Sequence, residues 1–171
     1  CNLSNFKNLK NTNDGGVDDY GANAITIMGD DNQIIRNYIS GAWAHSYDFA
    51  WNGGAFEMYN TCNRNKFMYN TIVDCGGVSE YGGQTTAGHT ANDNIIAYNK
   101  MINCGSLLWF NMSGPFAMQG SNLQFYNNVV IENNLSRFSG PNTGNGNFHP
   151  LATYPSTRLF GLSGTANAAT V

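Results

Sequence analysis

The chain writes nearly the same phrase twice, NKFMYNTIVDCGG from Asn65 to Gly77 and NIIAYNKMINCGS from Asn94 to Ser106. Two more segments fall on the same frame, NQIIRNYISGA from Asn32 and NLQFYNNVVIEN from Asn122. Aligned on one asparagine, they place Asn37, Asn70, Asn99 and Asn127 in a column, with spacings of 33, 29 and 28 residues. A period of this size marks a repeat architecture, in which a unit too small to bury its own apolar side lies on its copy. Apolar columns accompany the asparagines. Ile34, Phe67 and Ile96 align, with Gln124 breaking the column; Ile35, Met68, Ala97 and Phe125 align next; Ile39, Ile72, Met101 and Val129 follow the asparagine. These pieces are three to five residues long, β-branched or aromatic, and bounded by Asn and Gly. They read as short strands, not helices. Strands stacked about 4.8 Å apart set like residues in rows, and a row of asparagines can hydrogen-bond amide to amide along the stack. The expected fold is an all-β solenoid, a parallel β-helix of about six coils with the asparagine row inside.

Composition agrees with many turns and few surface helices. Charged residues make up 11% of the 171, well below the usual quarter, while 27 asparagines and 20 glycines take their place. Such a chain is suited to turns and to side-chain amide hydrogen bonds. The length fits one domain spanning residues 1–171, with PNTGNGNFHPLATYPSTR (141–158) an irregular loop that interrupts the coils. A net charge of −3 without a basic cluster argues against nucleic acid as a partner. No run of 18 apolar residues offers a membrane-spanning helix. The composition suits an extracellular or cell-surface protein, a setting that permits disulfides. Of Cys1, Cys62, Cys75 and Cys104, none forms a CxxC pair, which disfavours zinc. Cys75 and Cys104 occupy the same place in the two copies, and are either stacked thiols or a disulfide. CNLSNFKNL at the start reads as part of another coil, and LFGLSGTANAATV at the end as a strand about to begin. Uncapped β-edges invite pairing, so the expectation is a segment of a longer β-helix or a subunit that stacks end to end.

The N-x-x-x-x-N-x-[IMV] coils and the stretch GGAFEMYNTCNRNKFMYN resemble the right-handed parallel β-helix superfamily over about residues 20–140. That superfamily includes pectate lyases, polygalacturonases, alginate and chondroitin lyases, and phage tailspikes. The resemblance implies a right-handed coil and an association with polysaccharide. It does not carry over a catalytic motif. NTNDGG (Asn11–Gly16) and GDD (Gly29–Asp31) only superficially match the polygalacturonase aspartate motifs, and GHT (Gly88–Thr90) departs from that family's Gly-His-Gly.

A second strand set follows the turn glycines: AITIMGD, GGAFEMY, GGVSEYG and GSLLWFN. In this register Thr26, Glu57, Glu80 and Trp109 form one column between two mostly apolar ones, Ile25/Phe56/Ser79/Leu108 and Ile27/Met58/Tyr81/Phe110. Side chains alternate faces along a strand, so the Glu/Glu/Trp column points to solvent. Two carboxylates one rung apart can act as acid and base on a glycosidic bond. They can equally hold Ca²⁺ through oxygen ligands, the one cofactor the sequence suggests, or simply form a solvated polar face. Trp109 offers a flat ring to a sugar. Long insertions before the Glu57 strand and after the Glu80 and Trp109 strands would wall a groove, bringing His45, Asp48 and His89 to its edges, with His89 a candidate proton-transfer group. Tyr69, Tyr98 and Tyr126 line up with Arg36 just before the asparagine column, either as a sugar platform or as a stack that stabilises the coil. The function this suggests is an extracellular carbohydrate-active protein, a lyase or glycosidase if it is an enzyme. The competing function is a non-catalytic segment of a fibre, adhesin or tailspike.

Overall fold

The computed structural model describes residues 1–6, 21–46, 50–82, 88–111, 118–133 and 158–163. Among them there is no helix, and the strands pair almost entirely in parallel through three sheets. Sheet A stacks β1 (Asn2–Ser4), β4 (Tyr38–Ser40), β9 (Thr71–Val73), β13 (Lys100–Ile102) and β17 (Val129–Ile131). Sheet B stacks β2 (Ile25–Ile27), β7 (Phe56–Tyr59), β10 (Ser79–Gly82), β14 (Ser106–Asn111) and β18 (Arg158–Ser163). Sheet C stacks β3 (Gln33–Ile35), β8 (Lys66–Met68), β12 (Ile95–Ala97) and β16 (Gln124–Tyr126). The chain visits B, C and A in turn and returns to B one rung on, the architecture of a parallel β-helix. Two pairs lie at the corners: β5 (Ala44–Ser46) with β6 (Ala50–Asn52), antiparallel, and β11 (Thr90–Asn92) with β15 (Gln119–Ser121), parallel. The expected loop at 141–158 falls outside the described residues except for Arg158, which opens β18.

The core is a set of columns. Ile39, Ile72 and Met101 of sheet A are fully buried, as are Phe67 and Ile96 of sheet C and Phe56, Met58 and Tyr81 of sheet B. Phe56 and Phe67 meet across the interior with ring centroids 4.6 Å apart. In β4, β9, β13 and β8 the middle residue is the one fully buried, so three-residue strands suffice to build the core.

Between sheets C and A each of the four described coils turns in two residues: Arg36–Asn37, Tyr69–Asn70, Tyr98–Asn99 and Asn127–Asn128. The first of each pair is left-handed, with φ of 57°, 59°, 57° and 52°. The second is the ladder asparagine. Asn70 Oδ1 accepts from the backbone N–H and side-chain amide of Asn37 at 2.9 and 3.1 Å. Asn99 does the same for Asn70, at 2.9 and 3.0 Å. The fourth member is Asn128, which accepts from Asn99 N and Nδ2 at 2.9 and 3.0 Å. The assignment of Asn127 to the ladder is therefore one residue early. In the observed register Phe125 lies on Ile96 and Gln124 on Ile95, and Val130, not Val129, follows Met101. Phe125 packs on the core, whereas the expected register would have put Gln124 there.

A second ladder, Asn32–Asn65–Asn94, runs at the corner between sheets B and C. Asn65 Oδ1 accepts from Asn32 N, and Asn94 Oδ1 from Asn65 N, both at 2.9 Å. These amides also cap carbonyls of the turn: Asn65 Nδ2 donates to Gly29 O and Asn94 Nδ2 to Cys62 O. Buried amides in such rows leave few polar groups without partners, which is what makes an asparagine-rich interior tolerable.

Candidate functional site

Sheet B carries Glu57, Glu80 and Trp109 in one column. Its register pairs Thr26 with Glu57, Glu57 with Glu80, Glu80 with Trp109 and Trp109 with Gly161. The flanking columns, Phe56/Ser79/Leu108 and Met58/Tyr81/Phe110, are buried, while Glu57, Glu80 and Trp109 are half-buried. The column thus faces outward. The turn glycines set this register. Gly53 has a φ of 135°, and a Cβ on it would collide with the Ala22 carbonyl, so the chain enters β7 pressed against the preceding coil.

Glu57 leans toward that preceding coil. Its Oε2 accepts from Asn23 Nδ2 at 2.7 Å and from Thr26 Oγ1 at 3.2 Å. Asn23 is itself fixed by Gly54 N, which donates to Asn23 Oδ1 at 2.8 Å. Desolvation raises the Glu57 carboxyl above the usual carboxylate range, and the Thr26 and Asn23 hydrogen bonds oppose the rise. Asn23 is a site residue that sequence reasoning missed; its signal is its position just before β2, one coil below Gly54. Burial thus favours the protonated form of Glu57, the form a general acid needs. Among the described residues no group of three or more His, Cys, Asp or Glu is assembled as a metal site.

His89 is not in this column. It lies at the corner between sheets B and C, just before β11, and its carbonyl accepts from Gln119 N at 3.1 Å. There it lines a shallow groove of about 500 Å³ with Met28, Gly29, Asp30, Asn60 and Thr61. Asn60 is three residues beyond Glu57, so the groove borders the face at the strands' C-terminal ends. In the same corner Arg64 holds Asp31 through two hydrogen bonds, at 2.9 and 2.8 Å, and Asp30 at 3.2 Å. His45 belongs to β5, paired with Trp51, at the other corner of sheet B. Asp48 lies outside the described residues.

Tyr69 and Tyr98 stand at the corner between sheets C and A, away from sheet B. Both are exposed, yet their rings stack on one another at 5.1 Å and 10°. Tyr126, a residue earlier in its coil, meets Tyr98 edge-on at 5.5 Å and 80°. Arg36 caps the row, 5.5 Å from the Tyr69 ring centre. The ring faces are turned to each other, so the pair presents edges and hydroxyls outward.

Cys62, Cys75 and Cys104 are buried free thiols and Cys1 is exposed. Cys75 and Cys104 lie side by side on adjacent rungs. The hydrogen bond between them lowers Cys75 and holds Cys104 well above the usual thiol range. Burial pushes Cys62 up to about 12, which leaves it unreactive.

Compared with known proteins, the chain matches no family model, no curated protein and no solved structure.

Proposed function

We propose that this is an extracellular carbohydrate-active β-helix whose glycan lies along the outward face of sheet B. The observation that carries the reading is the in-register column Glu57–Glu80–Trp109, two carboxylates and a flat aromatic on successive rungs. Neighbouring rungs of a sheet are about 4.8 Å apart, close to the roughly 5–5.5 Å separation of carboxylates in retaining glycosidases. Glu57, with its raised carboxyl, takes the acid role and Glu80 the base or nucleophile role. His89 and His45 come from the corners that border the face, and the hydroxyls of Tyr69 and Tyr98, at the corner between sheets C and A, offer a separate secondary contact. The coils wind right-handed, as crossover connections do, and number about six.

The test is a panel of soluble polysaccharides, read for binding and for new reducing ends or unsaturated products. Glu57→Gln and Glu80→Gln should each remove cleavage, and Trp109→Ala should weaken binding at least tenfold, all with folding intact. Unchanged activity in both glutamine variants would refute the catalytic assignment.

A second reading, a structural segment stacked on further coils of a fibre or adhesin, has one observation in its favour. Val130 continues the buried column Ile39–Ile72–Met101, yet it is exposed, together with Val129 and Ile131 beside it. Concentration-dependent assembly, lost in Val130→Lys, would support that reading.

A further inference from the structure

Three titratable side chains meet at the corner between sheets A and B, outside the sheet-B column, and what they can do does not depend on the ligand of that column. β9 and β13 pair Thr71 with Lys100, Ile72 with Met101 and Val73 with Ile102. Cys75 and Cys104 each follow two residues later, and Gly105 N donates to the Cys75 carbonyl at 3.2 Å, so the register persists through the cysteines. Both residues are fully buried. Their sulfurs rest on consecutive carbonyls of one strand, Cys75 Sγ 3.5 Å from Val73 O and Cys104 Sγ 3.8 Å from Ile72 O. Neighbouring rungs lie about 4.8 Å apart, within the roughly 4.4–6.8 Å between Cα atoms that a disulfide spans. Glu132 completes the group from the next rung. Its Oε1 accepts from Cys104 N at 2.7 Å, whereas its Oε2 is enclosed and has no hydrogen-bond partner. An enclosed carboxylate oxygen without a donor is uncommon and calls for a role.

We propose that Cys75, Cys104 and Glu132 form a peroxide-reactive dithiol, whose closure to a disulfide fastens the coil that carries Glu80 to the coil that carries Trp109. Glu80 stands five residues after Cys75, and Trp109 five after Cys104, each beyond a turn glycine. The Cys75 sulfur attacks one peroxide oxygen, the O–O bond breaks, and hydroxide leaves as water with the Cys75 proton. Cys75 is then a sulfenic acid. The Cys104 thiol gives its proton to Glu132 Oε2 and attacks the Cys75 sulfur. The S–O bond breaks, and hydroxide leaves as water with the proton held by Glu132. Two thiols and one peroxide thus give one disulfide and two waters. The hydrogen bond from Cys104 lowers Cys75, which suits it to attack first, while Cys104 keeps its proton until a base removes it. Burial raises Glu132, which makes it the readier base. Cys62, pushed up to about 12 by burial, stays out of the reaction.

The folded, reduced chain would be exposed to hydrogen peroxide, quenched, alkylated and mapped by mass spectrometry, with hydrogen exchange measured on the product. The expected result is a Cys75–Cys104 link that dithiothreitol reverses, with Cys62 left as a thiol. Amide exchange in β10 and β14 should slow at least threefold in the linked chain. In Cys104→Ser the sulfenic acid should persist on Cys75, where dimedone traps it. Glu132→Gln keeps an acceptor for Cys104 N but removes the base, so closure should slow at least tenfold. The dimedone adduct should then appear on Cys75 in the interval, a signature that a purely structural role for Glu132 would not produce. Cys75 and Cys104 both left as thiols by peroxide, or Cys75 linked to Cys62 instead, would overturn the proposal. Closure at the wild-type rate in Glu132→Gln would remove Glu132 from it, and unchanged exchange in the linked chain would remove the hold on the two coils.

Discussion

The corner between sheets C and A and the two corners flanking sheet B follow opposite rules. At the first, each of the four described coils crosses in two residues, a left-handed one and then an asparagine. At the corners flanking B the crossing varies. Between A and B it runs from three residues (103–105) to twenty-six (132–157), and between B and C from five (28–32) to twelve (83–94, 112–123). Length has moved between corners: the 33-residue step from Asn37 to Asn70 places its extra chain before sheet B, as β5 and β6, whereas the 29-residue steps place theirs after it, around β11 and β15. At the constant corner the asparagine ladder runs through four coils, whereas the Asn32–Asn65–Asn94 ladder at the B–C corner spans three. The variable corners both border the face that carries Glu57, Glu80 and Trp109. Their residues differ from rung to rung, the variation that the proposed glycan face would draw on.

Five substitutions or treatments probe that contrast, in falling order of effect, with Asn127→Ala set beside Asn99→Ala as its control. Asn99→Ala should be the most damaging. It deprives Asn70 N of its side-chain acceptor and Asn70 Nδ2 of one of its two acceptors, removes the amide donor to Phe67 O, and leaves Asn128 Oδ1 with only the backbone N–H of residue 99. With buried groups left unsatisfied at about 1–3 kcal/mol each, the expected loss is about 3–5 kcal/mol in urea unfolding. Asn127→Ala, at an exposed left-handed turn residue, should cost only about 1 kcal/mol. Equal losses at the two positions would undo the register that makes Asn128 the rung. Next, refolding with glutathione disulfide should close a Cys75–Cys104 bridge across neighbouring coils and raise stability by about 2–4 kcal/mol. Alkylation and mass spectrometry would then find two fewer thiols, and an unchanged thiol count would contradict their side-by-side placement.

Tyr98→Asn should change stability by no more than about 1 kcal/mol. Relief of a left-handed tyrosine, worth about 1–2 kcal/mol, offsets loss of a stack worth about 0.5–1.5 kcal/mol. A larger loss would show that the tyrosine row holds the constant corner together. Glu57→Gln should have the smallest effect, and its sign should depend on pH. The folded carboxyl titrates above its unfolded value, so the wild type is favoured while protonated and loses that advantage as pH rises from about 4.5 through the raised folded value. Thermal melts should therefore show the variant level with the wild type near pH 4 and more stable, by roughly a few tenths of a kcal/mol, at pH 8. Glu132, raised chiefly by burial, contributes in the same direction to both proteins and cancels in the difference.

Much of the architecture was legible because it is written in columns. The sheet-B register, from Thr26 to Trp109, follows from the turn glycines, and the alternation of Phe56, Glu57 and Met58 gives its outward face. The slip at Asn127 has a local cause: Asn127 and Asn128 are adjacent, and both can fill the turn. Two signals favoured Asn128, the restored step of 29 residues and the removal of Gln124 from an apolar column. The Asn32–Asn65–Asn94 ladder was present in the repeat, but its burial was not visible because the asparagines look like ordinary turn residues. The site was less legible. Asn23 touches Glu57 only through coil stacking, and the separation of His89 from the glutamates depends on the path of the corner, which strand periodicity does not report. The tyrosine ring planes could not be read from their spacing, since a row of exposed aromatics looks the same whether its faces point outward or at one another.

The two-residue turn at the constant corner also resets the phase of the winding. An insertion at either of the other corners displaces chain outward, and the next left-handed residue and asparagine bring the path back to its starting angle before the following coil begins. Errors of length therefore do not accumulate along the axis. A coil can exchange one loop for another of quite different size while the coils above and below it meet the same seam, so the surface around sheet B is free to diversify on a scaffold whose pitch is held at the opposite edge.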